Sequence, residues 1–428
     1  MLENVLVRIL NRTFEIGTLM VTFPSGRRET FGDDTDPRVH LHVKDRGALR
    51  TIALDPGLGV PEMYMEGRLD LLSGDVYDLI LMAKRNGGTL RFSPLDMLRH
   101  GWRTVRENPY FKAVNPVRAR ANVAHHYDLD EKLYRLFLDP DMQYSCAWFE
   151  RPGQSLEAAQ LAKKRLIAAK LCLRPGAEVL DIGCGWGGMA LYLARVCDVK
   201  VTGVTLSEEQ LRVAQQRAEE AGLGDRVEFR LQDYRQIEET FDNIVSVGMF
   251  EHVGARQYPT FFETAARLLR PHGVMLLHSM GQKFAWPYNH PFVEKYIFPD
   301  GYIPAMSEVL PSVEASGLMI RDTEILALHY AETTRHWRRR FHDRRAEVLE
   351  LYDEAFFRMW DFYLAGAEAS FRQDAMHVFH LQLAHNQACV PLTRDYIRPA
   401  MDRLIEAERA IPDYAALHDR PSAGAARA

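Results

Sequence analysis

Val179-Leu-Asp-Ile-Gly-Cys-Gly-Trp-Gly-Gly188 decides how the rest of the chain is read. An apolar strand over 178–182 carries Asp181 to its C-terminal end. Gly183 and Gly185 then let the backbone pass close to a ligand before an apolar helix runs through Val196. A dinucleotide site wants GxGxxG and an anion at the helix N-terminus. Here an acidic residue precedes Gly183-x-Gly185-x-Gly187-Gly188. It would repel a pyrophosphate but can hold a cationic aminoacyl group, the expected signature of S-adenosylmethionine binding. The bland reading is a glycine turn that only reverses the chain.

Outward from this turn, helices and strands alternate. Residues 156–173 read as a long amphipathic helix ended by Arg174-Pro-Gly176. Strands are predicted at 199–204, 227–231, 243–247 and 273–277, and helices at 208–221 and 258–269. The alternation of Met376-His-Val-Phe-His-Leu-Gln-Leu383 predicts one more strand completing the sheet. Strands spaced by helices of this length imply an α/β domain, a parallel sheet covered on both faces. Residues 1–115 read instead as a small α+β domain. Strands are expected near 18–26 and 38–44, and a helix at 74–83 is stopped by Asn86-Gly-Gly88. A linker with Pro109 and Pro116 falls between Trp102 and Arg120. The predicted organisation is thus 1–115, a catalytic domain over 116–410, and a flexible tail over 411–428.

Composition excludes several classes. With 428 residues, 47% of them hydrophobic, the chain can bury a substantial core without staples. Lys and Arg number 53 against 58 Asp and Glu, a net charge of −5, so general nucleic-acid binding is not expected. The cysteines Cys146, Cys172, Cys184, Cys197 and Cys389 form no CxxC pair and no disulfide framework, which points to a reducing compartment. No secretory signal is evident, and the apolar run Ile182–Ala194 is too short to cross a bilayer. A cytoplasmic protein, at most resting on the inner face of the membrane, is expected.

Polar residues collect where a parallel sheet presents its ligand-bearing edge. Thr205 and Gln210 follow the second strand as candidate ribose contacts, or as caps and surface residues beside an N-capping Ser207. Asp233 follows the third, placed to accept a proton from an adenine amine or else to close a turn. Glu251 and His278 emerge at the ends of the fourth and fifth strands. Two titratable groups beside a sulfonium point to function. His125, His126, Glu251, His252 and His278 lack the HxxxH or HExxH spacing of a metal centre, so no metal is expected. Six arginines between Arg335 and Arg345 lie on a helix predicted to run toward Leu364, with Trp337, Phe341 and Leu349 near one apolar stripe. They read either as a solvated face ion-paired with Glu347 and Glu350 or as an attraction for anionic lipid headgroups.

Taken in order, Ala124-His-His-Tyr-Asp-Leu129, Tyr144-Ser-Cys146, the glycine motif, Gly203-Val-Thr-Leu-Ser207, Phe250-Glu-His252, Tyr296-Ile-Phe-Pro-Asp-Gly-Tyr-Ile-Pro304, His329-Tyr330 and Arg358-Met-Trp-x-Phe-Tyr363 carry a specific resemblance. The chain resembles the cyclopropane-fatty-acyl-phospholipid synthase family, which includes the mycolic acid cyclopropane synthases, strongly over about 110–395. The resemblance implies a class I methyltransferase fold with a seven-stranded sheet whose last strand is antiparallel. It implies transfer of a one-carbon unit from S-adenosylmethionine to a cis double bond of a phospholipid acyl chain. Cofactor positions would be Tyr144, Ser145, Gly183, Gly185, Thr205, Gln210, Asp233 and Tyr234, beside Asp181 from the motif itself. A bicarbonate would be held by Cys146, Glu251, His278, Met280 and Tyr330, with Met280 where many relatives have isoleucine.

An alkene is a weak π nucleophile, so the methyl donor must be aligned and desolvated. Aromatic faces such as Tyr127, Tyr144 and Phe250 are candidates to stabilise the resulting cation. A base then takes a proton from the transferred methyl as the ring closes. Loss of a proton elsewhere would give a methylene- or methyl-branched chain. A lipid-binding protein without turnover and a small-molecule methyltransferase are competing readings, and a homodimer is open.

Overall fold

The computed structural model describes residues 2–87, 131–286, 290–299 and 301–418. The chain divides into two units. One comprises Met1–Lys112, Pro287–Pro299 and Thr334–Met376; the other comprises Ala113–Trp286, Asp300–Thr333 and His377–Ala428. In the smaller unit, α1 (Leu2–Thr13), α2 (Arg46–Leu54), α3 (Pro56–Met65) and α4 (Val76–Arg85) accompany β1 (Thr18–Thr22), β2 (Arg28–Gly32), β3 (Arg38–Val43) and β4 (Leu69–Ser73). The sheet order is β2-β1-β3-β4, with β1 and β3 parallel. Val39, Leu41 and Val43 are buried together, as their alternation predicts. Asp75 caps α4 by accepting from the Asp78 N–H at 2.9 Å.

Within the span predicted as one domain, 116–410, residues 334–376 build onto the N-terminal elements. The helix Glu354–Gln373 packs on α3 and α4. Its Arg358 Nη1 donates to the Tyr64 carbonyl and pairs with Asp70, both at 3.0 Å. Trp360, Phe362, Tyr363 and Leu364 are buried and together extend more than halfway round that helix, so a single neighbouring surface cannot cover it. The arginine-rich stretch is also not one helix to Leu364 but three, His329–Asp343, Arg345–Leu351 and Glu354–Gln373. Trp337 and Phe341 are buried, with Val348 taking the place expected of Leu349. Arg338 pairs with Asp361 at 2.7 Å and Asp75 at 3.0 Å, and Arg344 with Glu347 at 2.9 Å, so part of this basic stretch is neutralised internally.

In the larger unit, α5 (Glu131–Phe137) and α6 (Leu156–Lys170) precede β5 (Glu178–Ile182). Then follow α7 (Gly188–Cys197), β6 (Lys200–Thr205), α8 (Glu208–Glu220), β7 (Val227–Leu231), β8 (Phe241–Val247), α9 (Tyr258–Leu268) and β9 (Leu269–Gly281). The series ends with α10 (Met306–Ala315), β10 (Met319–Leu326), the first turn of α11 (His329–Asp343) and β11 (His377–Ala384). The seven strands lie in the order β10-β11-β9-β8-β5-β6-β7. β11 inserts antiparallel between β9 and β10, while the β5, β6, β7, β8 and β9 pairings are parallel. This is the expected class I methyltransferase sheet, with one apolar core on each face.

Two expectations fail here. Helix α6 is not amphipathic but enclosed, with Lys163, Lys164, Arg165 and Lys170 all buried. It lies against the helix Ile397–Arg409; Lys164 and Lys170 pair with partly buried acids, and Arg165 with the buried Glu408 at 2.7 Å. The tail does not fray at 411. Pro412–His418 forms a helix whose Tyr414 ring packs 5.8 Å from Tyr192, and His418 Nε2 meets Glu408 at 2.8 Å. Pro109, Pro116, His125, His126 and Tyr127 lie outside the described residues.

Candidate active site

The cleft at the C-terminal edge of β5 and β6 is lined by Tyr144, Ser145, Asp181, Gly183, Gly185, Thr205, Gln210, Asp233 and Tyr234. Gly183, Gly185 and Gly187 all have positive φ, at 80°, 54° and 83°. They differ in what surrounds them. A Cβ on Gly183 would strike the Met249 side chain and one on Gly187 the Phe229 ring, whereas one on Gly185 would meet nothing within 4 Å. Gly185 therefore keeps space open, and the other two close the turn against the core. Asp181 is buried and its Oδ2 has no hydrogen-bond partner. Burial pushes its carboxyl up to about 7, opposed by the charge of Lys163. An unpartnered buried acceptor in a glycine-walled cleft fits an ammonium group.

The remaining cleft residues are engaged locally. Thr205 Oγ1 donates to Gln210 Oε1 at 2.8 Å, and Ser207 caps α8 through the Gln210 N–H. Asp233 caps the turn Tyr234–Gln236 and chelates Arg235, with Nε–Oδ1 at 2.9 Å. Burial opposes ionisation of Asp233, but Arg235 holds the carboxyl below its usual range. The turn reading of Asp233 is thus realised in a residue that also faces the cleft, whereas Thr205 and Gln210 are buried cleft residues and the cap is Ser207.

Lys163 carries no signal in the sequence, because a lysine in the middle of a helix reads as solvent-facing. It is buried and donates to Gln143 Oε1 at 2.6 Å and Ser145 Oγ at 2.8 Å. Gln160, one turn earlier, donates to the carbonyls of Gln143 and Ser145 at 3.2 and 2.9 Å. Helix α6 thereby fixes the segment that carries Tyr144, Ser145 and Cys146. That segment is tied on its other side to α11, where the Ala147 N–H donates to Thr333 Oγ1 and the Phe149 N–H to His329 Nδ1, each at 3.0 Å. Tyr330, buried, lies in the same first turn of α11. Burial raises the Cys146 thiol pKa well above the ordinary value, so the residue is a neutral thiol, not a nucleophile.

Glu251 sits in a short turn after β8, and His278 and Met280 lie two apart on β9, on one face of the sheet. Glu251 Oε1 accepts the Met280 N–H at 2.5 Å; its Oε2 is buried without a partner, and burial raises its pKa. The Met280 backbone N–H is thus engaged by Glu251. His278 Nδ1 lies 2.8 Å from Nε2 of His380, a residue that reads in the sequence only as part of a strand. Burial holds the His278 imidazole well below its usual pKa, assisted by Lys163 and Lys170. His252, also on the cleft, is pushed down to about 4 by burial. Phe250 is a correction. Its ring stacks on Tyr258 at 4.4 Å within the core, so that face is not offered to a cationic substrate. Among the described residues no group of three or more His, Cys, Asp or Glu is arranged to hold a metal.

Residues 115–381 match the family profile of mycolic acid cyclopropane synthetase, and residues 5–91 match a Domain of unknown function (DUF7884). The chain is 38% identical to the cyclopropane-fatty-acyl-phospholipid synthase of Escherichia coli K12, over 78% of this chain and 84% of that protein. It is 35% identical to tuberculostearic acid methyltransferase UfaA1 of Mycobacterium tuberculosis, over 88% of this chain and 90% of that one. The crystal structure of mycolic acid cyclopropane synthase CmaA1 complexed with SAH and CTAB superposes with a TM-score of 0.59 at 35% identity, covering 62% of this chain and 97% of that one. With the glycine cleft, the sheet order and these likenesses in agreement, the chain belongs to the mycolic acid cyclopropane synthetase family of methyltransferases.

Proposed function

We propose that this chain uses S-adenosylmethionine to add a one-carbon unit across a cis double bond of an unsaturated phospholipid acyl chain, closing a cyclopropane ring with bicarbonate as base. The observation that carries this reading is a pair of buried, unpartnered carboxylate oxygens at the ends of adjacent strands, Asp181 Oδ2 on β5 within the cleft and Glu251 Oε2 in the turn after β8. One suits a cationic aminoacyl group and the other the hydroxyl of a small anionic base.

S-adenosylmethionine supplies, when bound, an electrophilic methyl on a sulfonium. The open space at Gly185 and the unpartnered Asp181 Oδ2 fit its aminoacyl end. Bicarbonate supplies a base small enough for a closed pocket, and Glu251 Oε2 is a buried acceptor for its hydroxyl proton. His278 and Tyr330 are assigned as donors to its oxygens. Tyr144 offers an aromatic face on the cleft. Reaching the substrate calls for peripheral contact with a membrane from its cytoplasmic side. No helix among the described residues is long and apolar enough to cross one, and the exposed Phe284 and Trp286 beside Lys283 suit interfacial contact.

A second reading, a fatty-acyl C-methyltransferase giving branched chains, is supported by the 35% identity to tuberculostearic acid methyltransferase. Incubation of the purified chain with S-adenosylmethionine and vesicles of unsaturated phospholipid separates the two. A lipid heavier by one CH2 with no alkene supports cyclopropanation. The same gain with the alkene retained supports the second reading, and no gain overturns both.

A further inference from the structure

The pairing of β11 with β9 sets His380 directly opposite His278, on the same face of the sheet. Behind His380 lies Lys170 at the end of α6, with its Nζ 3.4 Å from His380 Nδ1. Lys170 is buried and ion-paired with Glu324 and, at 3.3 Å, with Asp322. Those two carboxylates are shared with Arg394, at 2.9 Å to Asp322 and 3.0 Å to Glu324. A polar chain therefore runs inward from the β10 edge through Lys170 and His380 to His278, with no gap wider than a hydrogen bond from Lys170 on.

The order of donors along this chain is fixed by chemistry. An ammonium only donates, so His380 Nδ1 accepts. A neutral imidazole with Nδ1 accepting carries its proton on Nε2, which then donates across 2.8 Å to His278 Nδ1. His278, its own Nδ1 accepting, must carry its proton on Nε2, and that nitrogen has no hydrogen-bond partner among the described residues. Both rings are neutral, being buried and flanked by Lys163 and Lys170.

We infer that His380, held by Lys170, is a positioning residue that locks His278 as an Nε2–H donor aimed at the bound anionic base. The inference rests on the reading of His278 as an anion ligand. It accounts for a buried lysine, two acids and a second histidine that ligand contact alone does not require. A His278 with the other tautomer would present a lone pair to an anion and repel it.

Replacing His380 by glutamine or by glutamate provides near-isosteric variants of opposite polarity. A glutamine there can accept from Lys170 and donate to His278, whereas a glutamate only accepts and draws the His278 proton to Nδ1. His380→Gln is expected to turn over at least about tenfold faster than His380→Glu, with S-adenosylmethionine affinity the same in both. Nitrogen-15 NMR of the full chain labelled at histidine, with the His278 signal assigned by its loss in His278→Asn, reads the tautomer directly. Nε2–H is expected in the parent chain and in His380→Gln, and Nδ1–H in His380→Glu. Nδ1–H in the parent chain, or equal turnover of the two variants, overturns the inference. Because the parent spectrum, assigned through His278→Asn, needs neither of the His380 variants and no turnover, a chain that makes no cyclopropane would refute the proposed function and still leave the tautomer decided.

Discussion

Glu251 accepts the backbone N–H of Met280 through Oε1 at 2.5 Å and leaves Oε2 buried and unpartnered. This bond spans the ends of β8 and β9, so one carboxylate both ties the two strand ends and presents a free acceptor where the base is assigned. Glu251→Gln preserves the carbonyl that receives Met280 and replaces the free oxygen by a donor. Turnover is expected to fall by about 10²–10⁴-fold with S-adenosylmethionine affinity changed by less than about threefold. Isothermal titration beside steady-state rates measures the split, and parallel losses would indicate a structural role.

Asp181 gives a pH dependence with a definite sign. Its carboxyl titrates at about 7 in the folded chain, because burial disfavours the charge. An unfolded aspartate titrates near about 4. Between those values the folded chain holds a proton that the unfolded chain has lost, so this group's contribution to stability declines as pH rises through the window. Asp181→Asn is therefore expected to raise the Tm of the ligand-free protein at about pH 8 and to leave it nearly unchanged below about pH 4. Thermal melts across this range check it.

The same carboxyl is expected to act on cofactor affinity in the opposite direction. A cationic aminoacyl group binds the ionised form, so affinity for S-adenosylmethionine should rise between about pH 6 and pH 8 and level off above. Asp181→Asn should bind more weakly by about tenfold or more at pH 8 and lose the slope. A parallel slope in the variant would assign the proton elsewhere.

Gly185 and Gly187 share a positive φ but not a neighbourhood. Gly185→Val costs about 1–2 kcal/mol in backbone strain and fills the cleft, so cofactor binding should be lost from a folded protein. Gly187→Val meets the Phe229 ring as well, and its loss of stability should be the larger. Circular dichroism melts and cofactor titration of both variants distinguish a binding role from a packing one.

Lys163 anchors the segment that carries Tyr144, Ser145 and Cys146. Lys163→Met removes the donors to Gln143 and Ser145 and unpairs buried acceptors, for an expected loss of about 2–4 kcal/mol. Cofactor affinity and turnover should both drop, since the Tyr144–Cys146 segment loses its anchor. Denaturant unfolding with and without S-adenosylmethionine checks both effects.

The parallel strands are legible because each is a short apolar run between turn signals, and β5, β6 and β7 lie within a residue of their predicted limits. The nine residues expected to meet the cofactor line one cleft because the fold places successive strand ends side by side. Helix α6 reads wrongly because its lysines are buried by partners distant in sequence, Asp141, Glu324 and Asp322, which no local periodicity encodes. His380 is hidden for the same reason. A histidine inside an alternating strand reveals its role only when register sets it opposite His278. The grouping of 334–376 with the N-terminal elements runs through a helix buried on several sides, which no local periodicity assigns to a partner.

The most direct test of cyclopropanation through a methyl-derived proton uses S-adenosylmethionine carrying a fully deuterated methyl, with unsaturated phospholipid vesicles and mass spectrometry that localises double bonds. The expected product keeps two of the three deuterium atoms and has no alkene. Retention of all three deuterium atoms, or of the double bond, would contradict it.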